Sequence, residues 1–219
     1  MERIPEPELM DEEEQARAYS YADFEEPHSC FIQLFIEEFP GPFAGCALDL
    51  GCGPGDITLR FAKAFPQCTV HGVDGAEAML AHGRQACAHR GFDGRIRFVH
   101  GYLPGASLPR ARYDAVISNS LLHHLAEPQV LWDSIKRYAA PGAPVFVMDL
   151  MRPGTRAEAE SLVETYAAGE PEVLRRDFLH SLLAAYRVDE VRAQLERVGL
   201  SHWSVSVASD RHLLVTGRS

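Results

Sequence analysis

The stretch Ala47-Leu48-Asp49-Leu50-Gly51-Cys52-Gly53-Pro54-Gly55-Asp56 decides the fold of this chain, because it joins an apolar strand to a helix through a glycine-rich loop. Glycine stands at every second position of the loop, where it permits positive φ angles and lets a ligand lie against the backbone. The loop also leads into the positive end of a helix dipole, where free N–H groups bind ligands. We therefore expect the amides of Gly51 and Gly53, with Cys52 between them, to lie along a bound small molecule.

The spacing of these glycines indicates which ligand the loop binds. Dinucleotide loops read G-x-G-x-x-G and hold a pyrophosphate, but here Asp56 stands in the place of the last glycine and would repel that group. A nicotinamide-dependent oxidoreductase is therefore the weaker alternative. Asp49 favours a ligand with a cationic group, and Asp74, which ends the next apolar strand, is placed to accept hydrogen bonds from the ribose hydroxyls of an adenosine. Together these two acids indicate S-adenosylmethionine.

These motifs resemble those of the class I S-adenosylmethionine-dependent methyltransferases, of the small-molecule type with a domain 11/25-like sequence. The resemblance implies a Rossmann-like, doubly wound α/β sheet of about seven strands, mostly parallel, with an antiparallel C-terminal strand and a helical lid insertion. It also implies methyl transfer to a small-molecule acceptor and release of S-adenosylhomocysteine. The segments that carry it, besides the loop and Asp74, are Tyr113–Asn119, Leu121–Leu125 and Pro141–Val147.

The order of apolar patterns along the chain indicates one main domain with two additions. Strand and helix patterns alternate from residue 44 to 150, which is typical of parallel strands with helical crossovers. Residues 1–43 are interpreted as an N-terminal helical cap, whose acidic first part we expect to be peripheral. Residues 44–219 form the methyltransferase domain, with two extra helices at about 153–186 as a lid.

Ligands of open α/β sheets bind beyond the carboxyl ends of the strands, so residues at those ends are the candidates for cofactor binding. Asp49 is expected to bind the methionyl amino group and Asp74 the ribose. Met79 packs either on the adenine or in the core. Tyr102 stands where many relatives carry an acid for the adenine amino group, which leaves that contact open. The full predicted set is Asp49, Gly51, Cys52, Gly53, Asp74, Gly75, Met79, Tyr102, Leu103 and Asn119.

His123 and His124 are the candidate catalytic residues, because histidine accepts a proton near neutral pH. The alternative is that one packs and the other bonds the backbone. No metal is expected, since the side chains of adjacent residues do not face one point and no further ligands follow at suitable spacing. Candidate acceptor-binding residues from the N-terminal segment, the insertion and the last hairpin are Tyr19, Tyr21, Arg152, Asp177, His180 and Arg211.

Bulk composition excludes several classes of partner. The net charge of −10 disfavours nucleic acid and favours a neutral or cationic acceptor. No apolar run reaches the roughly 20 residues of a membrane span. Five scattered cysteines, with no C-x-x-C pair and no signal-peptide pattern, suggest a cytoplasmic protein, either a monomer or a homodimer. A non-catalytic cofactor-binding protein or a partner subunit of a methyltransferase remains the alternative to an enzyme.

Overall fold

The computed structural model describes residues 1–6, 13–22 and 24–219, without the side chains of Glu14, Gln15 and Tyr21. Its described strands form one sheet and are β1 Gly45–Leu50, β2 Cys68–Asp74, β3 Ile96–His100, β4 Ala115–Asn119, β5 Pro144–Leu150, β6 Ser204–Val207 and β7 His212–Arg218. The strand order is β3-β2-β1-β4-β5-β7-β6. The first five strands are parallel, and β7 runs antiparallel between β5 and β6. The predicted doubly wound sheet is thus confirmed.

Helices cover both faces of the sheet, in the alternation with strands that the sequence predicted. They are α1 Glu13–Tyr21, α2 Glu25–Glu38, α3 Asp56–Ala64, α4 Glu77–His89, α5 Gln129–Tyr138, α6 Arg156–Tyr166, α7 Glu172–Ala184 and α8 Val188–Arg197. Two elements were not predicted, namely α1 and a 3₁₀ turn at Leu122–His124 after β4. No helix in the described ranges combines the length and apolar character needed to cross a membrane.

The parallel strands are buried on both faces, which explains their nearly continuous apolar sequences. On one face the core contains Trp132 of α5 and Tyr113, both fully buried. On the other face aromatic rings from α2, α3 and β5 pack edge to face, with Phe35 4.9 Å from Phe61 and Phe31 4.8 Å from Phe146 between ring centroids. Helix α2 therefore closes one face of the sheet.

The first residues of the chain are packed rather than peripheral, which differs from our expectation. The Ile4 N–H donates to the Leu183 carbonyl at 3.0 Å, and the Arg3 side chain donates to the carbonyls of Ala184 and His123 at 2.5 and 2.8 Å. Ala16 of α1 is fully buried against the start of α4. Apolar periodicity cannot reveal such a segment, because backbone carbonyls and one cation hold it in place.

The strand order reverses between β1 and β4, so the loops after these strands leave in opposite directions and open a crevice at their carboxyl ends. The glycine loop forms one wall of this crevice. Gly51, Gly53 and Gly55 have φ angles of +69°, +51° and +79°, the region that other residues rarely adopt. This geometry turns the chain from β1 directly into α3.

Two glycine-to-alanine substitutions test how tightly the loop is packed. A Cβ at Gly55 would lie 2.5 Å from the Phe98 ring, whereas a Cβ at Gly53 would meet nothing within 4 Å. Gly53→Ala should cost only the roughly 1–2 kcal/mol of a left-handed backbone. Gly55→Ala should cost an additional ~1–3 kcal/mol for the overlap. Urea unfolding without cofactor would measure both, and equal losses would contradict the packing described.

Candidate functional site

A cavity of about 970 Å³ lies at the carboxyl ends of the central strands. This volume is at the upper end of the range for small-molecule sites, so it suits a cofactor together with a small acceptor. The cavity is bordered by the glycine loop, the ends of β1, β2 and β4, and residues of α1, α2, α4 and α7. The predicted residues that line it are Tyr19, Asp49, Gly51, Cys52, Gly53, Asp74, Gly75, Met79, Tyr102, Leu103, Asn119, His123, His124, Asp177 and Arg211.

Two predicted acceptor residues do not line this cavity. Arg152 is buried elsewhere, where it donates to the Ala185 carbonyl at 2.9 Å and to Glu190 at 2.6 Å, so it ties β5 to the segment before α8. His180 is exposed, because α7 turns Leu174, Asp177, Phe178 and Ser181 toward the cavity and His180 lies off that face. The side chain of the predicted Tyr21 lies outside the described part of the chain.

The amides of the glycine loop bond the protein itself, which corrects our expectation that they bind the ligand. The Gly51 N–H donates to the Val73 carbonyl at 2.9 Å, and the Gly53 N–H donates to Oδ2 of Asp74 at 2.8 Å. The space that a side chain would fill at Gly53 is empty. The Cα surface of Gly53 is therefore open to the cavity, and the amide network holds the loop in shape.

Asp74 holds the glycine loop against the start of α4. Its Oδ1 accepts from the Ala76 N–H and its Oδ2 from the Gly53 N–H, both at 2.8 Å. Each carboxylate oxygen has more than one lone pair, so both can accept a further hydrogen bond from a ribose hydroxyl. The two amides thereby fix the orientation in which Asp74 would meet an adenosine.

Asp49 is a buried carboxylate whose side-chain hydrogen bond comes from a neutral hydroxyl. It is 1% exposed and accepts a hydrogen bond of 2.6 Å from the Thr58 hydroxyl. Burial raises the pKa of Asp49 to about 7; the Thr58 hydrogen bond acts against this shift, and the charge of Asp74 adds to it. A ligand ammonium or sulfonium nearby would favour the ionised form.

Other residues of the cavity fit an adenosyl ligand. Oδ1 of Asn119 is buried and has no hydrogen-bond partner among the described residues, so it can accept a hydrogen bond from a ligand. Met79 lines the cavity and also packs on Ala16, so it serves both the site and the core. Tyr102 is 55% exposed at the cavity edge. Burial raises the pKa of the Cys52 thiol well above its usual value, which disfavours the thiolate form.

His123 is held by an aspartate that we did not predict. Its Nδ1 lies 2.6 Å from Oδ1 of Asp149, and the Leu122 N–H donates to Oδ2 of the same carboxylate at 2.7 Å. Burial lowers the pKa of His123, but the charge and hydrogen bond of Asp149 outweigh it and the net shift is upward. The available signal was a lone acid within the apolar strand β5.

The two histidines face one point, contrary to our expectation for adjacent residues. Their ring centroids are 4.2 Å apart with planes inclined by 36°. Oε1 of Glu6 lies 3.5 Å from Nε2 of His123 and 3.3 Å from Nδ1 of His124. The 3₁₀ turn brings both rings to the same side. Glu6 comes from the N-terminal segment, a contact that no local spacing indicates.

Comparison with known proteins agrees with this geometry. A sequence model described as "Methyltransferase domain" matches residues 47–142. An uncharacterized methyltransferase of Mycobacterium tuberculosis is 30% identical over 136 residues, or 62% of this chain and 66% of the relative. The trans-aconitate 2-methyltransferase of Variovorax paradoxus is 30% identical over 152 residues, or 69% of this chain and 55% of the relative. The chain thus spans only about half to two thirds of these relatives.

Solved structures show the same architecture over nearly the whole chain. A S-adenosylmethionine-dependent methyltransferase from Aquifex aeolicus superposes with a TM-score of 0.70 at 18% identity, covering 94% of this chain and 98% of that one. A plantazolicin methyltransferase crystallised with S-adenosylhomocysteine gives 0.71 at 14% identity, covering 94% and 90%. This chain contains a methyltransferase domain with the class I fold. The methyltransferase model and the S-adenosylhomocysteine bound in the plantazolicin methyltransferase agree with S-adenosylmethionine, the cofactor that the sequence motifs predicted.

The arginines near the methyltransferase cavity are already paired. Arg211 donates to Glu26 at 3.0 Å and to Asp210 at 3.2 Å, and its guanidinium lies 3.4 Å from the centre of the Tyr166 ring. Arg60 donates to Asp56 at 2.6 Å and also binds Glu25. Among the described residues, each arginine that lines the cavity has a carboxylate within 4.0 Å.

A second unpredicted network closes the α2 side of the methyltransferase cavity. Asp56 at the start of α3 lies 2.7 Å from Nδ1 of His28 and accepts from Arg60. Burial acts to raise the pKa of Asp56, but these hydrogen bonds lower it to about 2. Burial raises the pKa of nearby Tyr19 to about 12, so its hydroxyl stays protonated. Burial and the charge of Arg211 lower the pKa of His212 to about 4, which keeps that ring neutral.

The substitution Asp49→Asn tests the buried carboxylate. The pKa of Asp49 is about 7 in the folded protein and 3.8 in the unfolded chain. Between these two pH values the folded protein retains a proton that the unfolded chain has lost. Stability therefore falls as pH rises through this window and stays lowered above it. Asn avoids this loss and can still accept from Thr58. In urea unfolding without cofactor at pH 8, the free energy of unfolding of the variant should be higher than that of the parent by roughly 1–3 kcal/mol.

The same comparison at lower pH serves as the control. Near pH 4.5 most of the folded protein carries a neutral Asp49, so the two proteins should differ far less. A stability difference that is the same at pH 4.5 and pH 8 would mean that Asp49 titrates with an ordinary pKa.

Proposed function

We propose that this methyltransferase transfers the methyl group of S-adenosylmethionine to an O–H or N–H group of a small neutral or cationic molecule, releasing S-adenosylhomocysteine. The observation that carries this proposal is the pairing of His123 with Asp149 in the wall of the cavity that also contains Asp49 and Asp74. One end of the cavity has the groups for the cofactor, and the other has an oriented histidine for the acceptor.

The cofactor-binding roles follow from the chemistry of each wall. Asp49 pairs with the methionyl ammonium, and Asp74 accepts hydrogen bonds from the ribose. The Cα surface of Gly53 supports the ligand between them, with Cys52 and Gly75 beside it. Met79, Tyr102 and Leu103 border the adenine, while Asn119 accepts a donor of the ligand with its unpartnered Oδ1.

His123 takes the proton of the acceptor in this proposal. Because Asp149 accepts the Nδ1 proton, the lone pair on Nε2 is left to face the polar group formed with Glu6 and His124. The acceptor atom forms a bond to the methyl carbon while the bond from sulfur to that carbon breaks. The proton of the acceptor passes to Nε2 of His123. Alignment of acceptor and sulfonium supplies most of the remaining rate enhancement.

The charges around the cavity support a neutral or cationic acceptor. Arg211 and Arg60 are paired with carboxylates, and Asp177 and Glu170 add negative charge to the wall. A tricarboxylate such as the substrate named for the trans-aconitate methyltransferases would need unpaired cations. We therefore expect the acceptor of this protein to differ from trans-aconitate.

The acceptor side of the proposal rests on the N-terminal cap of residues 1–43 and on the insertion at about 153–186. Tyr19, Asp177 and Arg211 line the cavity from these elements and from the last hairpin. The buried, oriented histidine beside a cavity of this volume supports an enzyme over a non-catalytic binding protein. We also propose a cytoplasmic location, because all five cysteines are free and four are buried.

The substitution Asp74→Asn tests the ribose contact. A hydrogen bond to a charged group contributes roughly 1.5–3 kcal/mol, so the variant should bind adenosine and S-adenosylhomocysteine about tenfold more weakly or worse. Because the substitution also disturbs the bonds to Gly53 and Ala76, 2′,3′-dideoxyadenosine serves as the control ligand in calorimetric titration. An equal loss for adenosine and its dideoxy analogue would refute the ribose assignment.

The substitution Asp149→Asn tests the oriented histidine. If the amide oxygen of Asn accepts from the Leu122 N–H, its NH₂ group faces Nδ1 and forces the proton of His123 onto Nε2. By analogy with the aspartate of serine proteases, the turnover number should fall roughly a hundredfold or more. Single-turnover assays against a panel of phenols and amines would measure this, with the affinity for S-adenosylhomocysteine unchanged. Normal turnover in the variant would exclude His123 as the base.

A further inference from the structure

Three potential ligand atoms converge beside the cavity wall. Oε1 of Glu6, Nε2 of His123 and Nδ1 of His124 all lie within 4.8 Å of one another, and Glu6 is 3.5 and 3.3 Å from the two nitrogens. Ligand atoms bound to tetrahedral Zn²⁺ at about 2.0–2.1 Å are separated from each other by about 3.3 Å. Two of the three edges already have this length. We call Glu6, His123 and His124 the His–Glu cluster.

The surroundings of the His–Glu cluster favour a metal ion over a hydrogen bond. The Nδ1 proton of His123 points to Asp149, so Nε2 presents a lone pair toward the Glu6 carboxylate. Oε1 of Glu6 is buried and makes no hydrogen bond among the described residues. A metal ion bound between Nε2 and Oε1 would satisfy both of these atoms.

The groups behind the cluster are those that support metal ligands in proteins. A histidine that binds a metal commonly donates its other ring proton to a carboxylate, which fixes the tautomer and ring orientation. Asp149 has this position at 2.6 Å from His123, and the Leu122 N–H fixes Asp149 in turn. The Ser181 hydroxyl lies 3.3 Å from Oε2 of Glu6 and leaves Oε1 for the ion.

From these observations we infer that the His–Glu cluster binds one divalent transition-metal ion, with Zn²⁺ as the best match. Two histidines and one glutamate are a ligand set of catalytic zinc sites, which keep a further position open. Glu6 and Asp149 together supply two negative charges to balance the ion.

The consequence for the acceptor rests on the proposed function. With the ion bound, Nε2 of His123 would be a ligand, and the ion would replace this histidine as the group that activates the acceptor of the proposed function. The heteroatom of the acceptor would then occupy the open position, where the ion would lower the pKa of its O–H or N–H group, so that its proton passes to solvent before the methyl group is transferred. The ion also fixes Glu6, and with it the N-terminal segment, next to the 3₁₀ turn.

Metal titration of the full chain, freed of tags and dialysed against chelator, tests the inference. Calorimetry with Zn²⁺ and absorption spectroscopy with Co²⁺ should both show one ion per chain. Glu6→Gln and His124→Ala should each weaken Zn²⁺ binding at least tenfold and abolish the Co²⁺ ligand-field bands. His180→Ala is the matched control, because it removes an exposed histidine away from the cluster and should change neither signal.

The opposite outcomes are equally clear. Absence of stoichiometric binding, or binding that His180→Ala weakens as much as His124→Ala does, would overturn the metal site. Thermal unfolding of each variant, with affinity for S-adenosylhomocysteine as a second readout, would show that it is folded. If Zn²⁺ fails to bind but Asp149→Asn still loses turnover, the proposed function stands without the metal. If Zn²⁺ binds but no acceptor is methylated, the metal site stands and the proposed function fails.

Discussion

Burial of carboxylates at the ends of apolar strands is the constraint on which the site depends. Asp49, Asp74 and Asp149 end or nearly end β1, β2 and β5, and the first and last are 1% exposed. An unpaired buried charge costs several kcal/mol, so each carboxylate requires donors in fixed places. Thr58, two backbone amides of the loop and α4, and His123 with the Leu122 amide supply them. Satisfying these three acids therefore shapes the glycine loop, the start of α4 and the 3₁₀ turn.

Local sequence patterns were sufficient to predict the sheet and the helices from α2 onward, and the candidate cofactor residues all line one cavity. Asp49, the glycines and Asp74 lie within two consecutive strand-to-helix connections. Their separation along the sequence therefore determines how far apart they lie in the structure. Asp149 and Glu6 could not be found in this way, because they meet His123 through contacts between distant segments. Arg152 and His180 were misassigned for a related reason. A residue after a strand or on a lid helix can point to either side, and only packing decides which.

The family resemblance and the proposed acceptor specificity involve different parts of the chain. The methyltransferase domain that matches by sequence ends at residue 142, so it includes Asp49, Asp74 and the two histidines. Glu6, Tyr19, Asp177 and Arg211, which surround the acceptor end, lie outside it. Relatives that are 30% identical to this chain can therefore bind the cofactor in the same way and still methylate different acceptors. The pairing of Arg211 with Glu26 and Asp210 also lies outside the matched region.

The N-terminal segment links stability of the chain to the acceptor end of the site. Arg3 bonds the carbonyls of His123, Leu125 and Ala184, so one guanidinium joins the 3₁₀ turn to α7. Glu6 follows within the same segment and brings a carboxylate to the two histidines. Because hydrogen bonds to a charged group are stronger than neutral ones, displacing Arg3 would release both the turn and the segment that carries Glu6. The geometry at Nε2 of His123 therefore depends on residues far from the glycine loop, and the acceptor end can change without any change in cofactor binding.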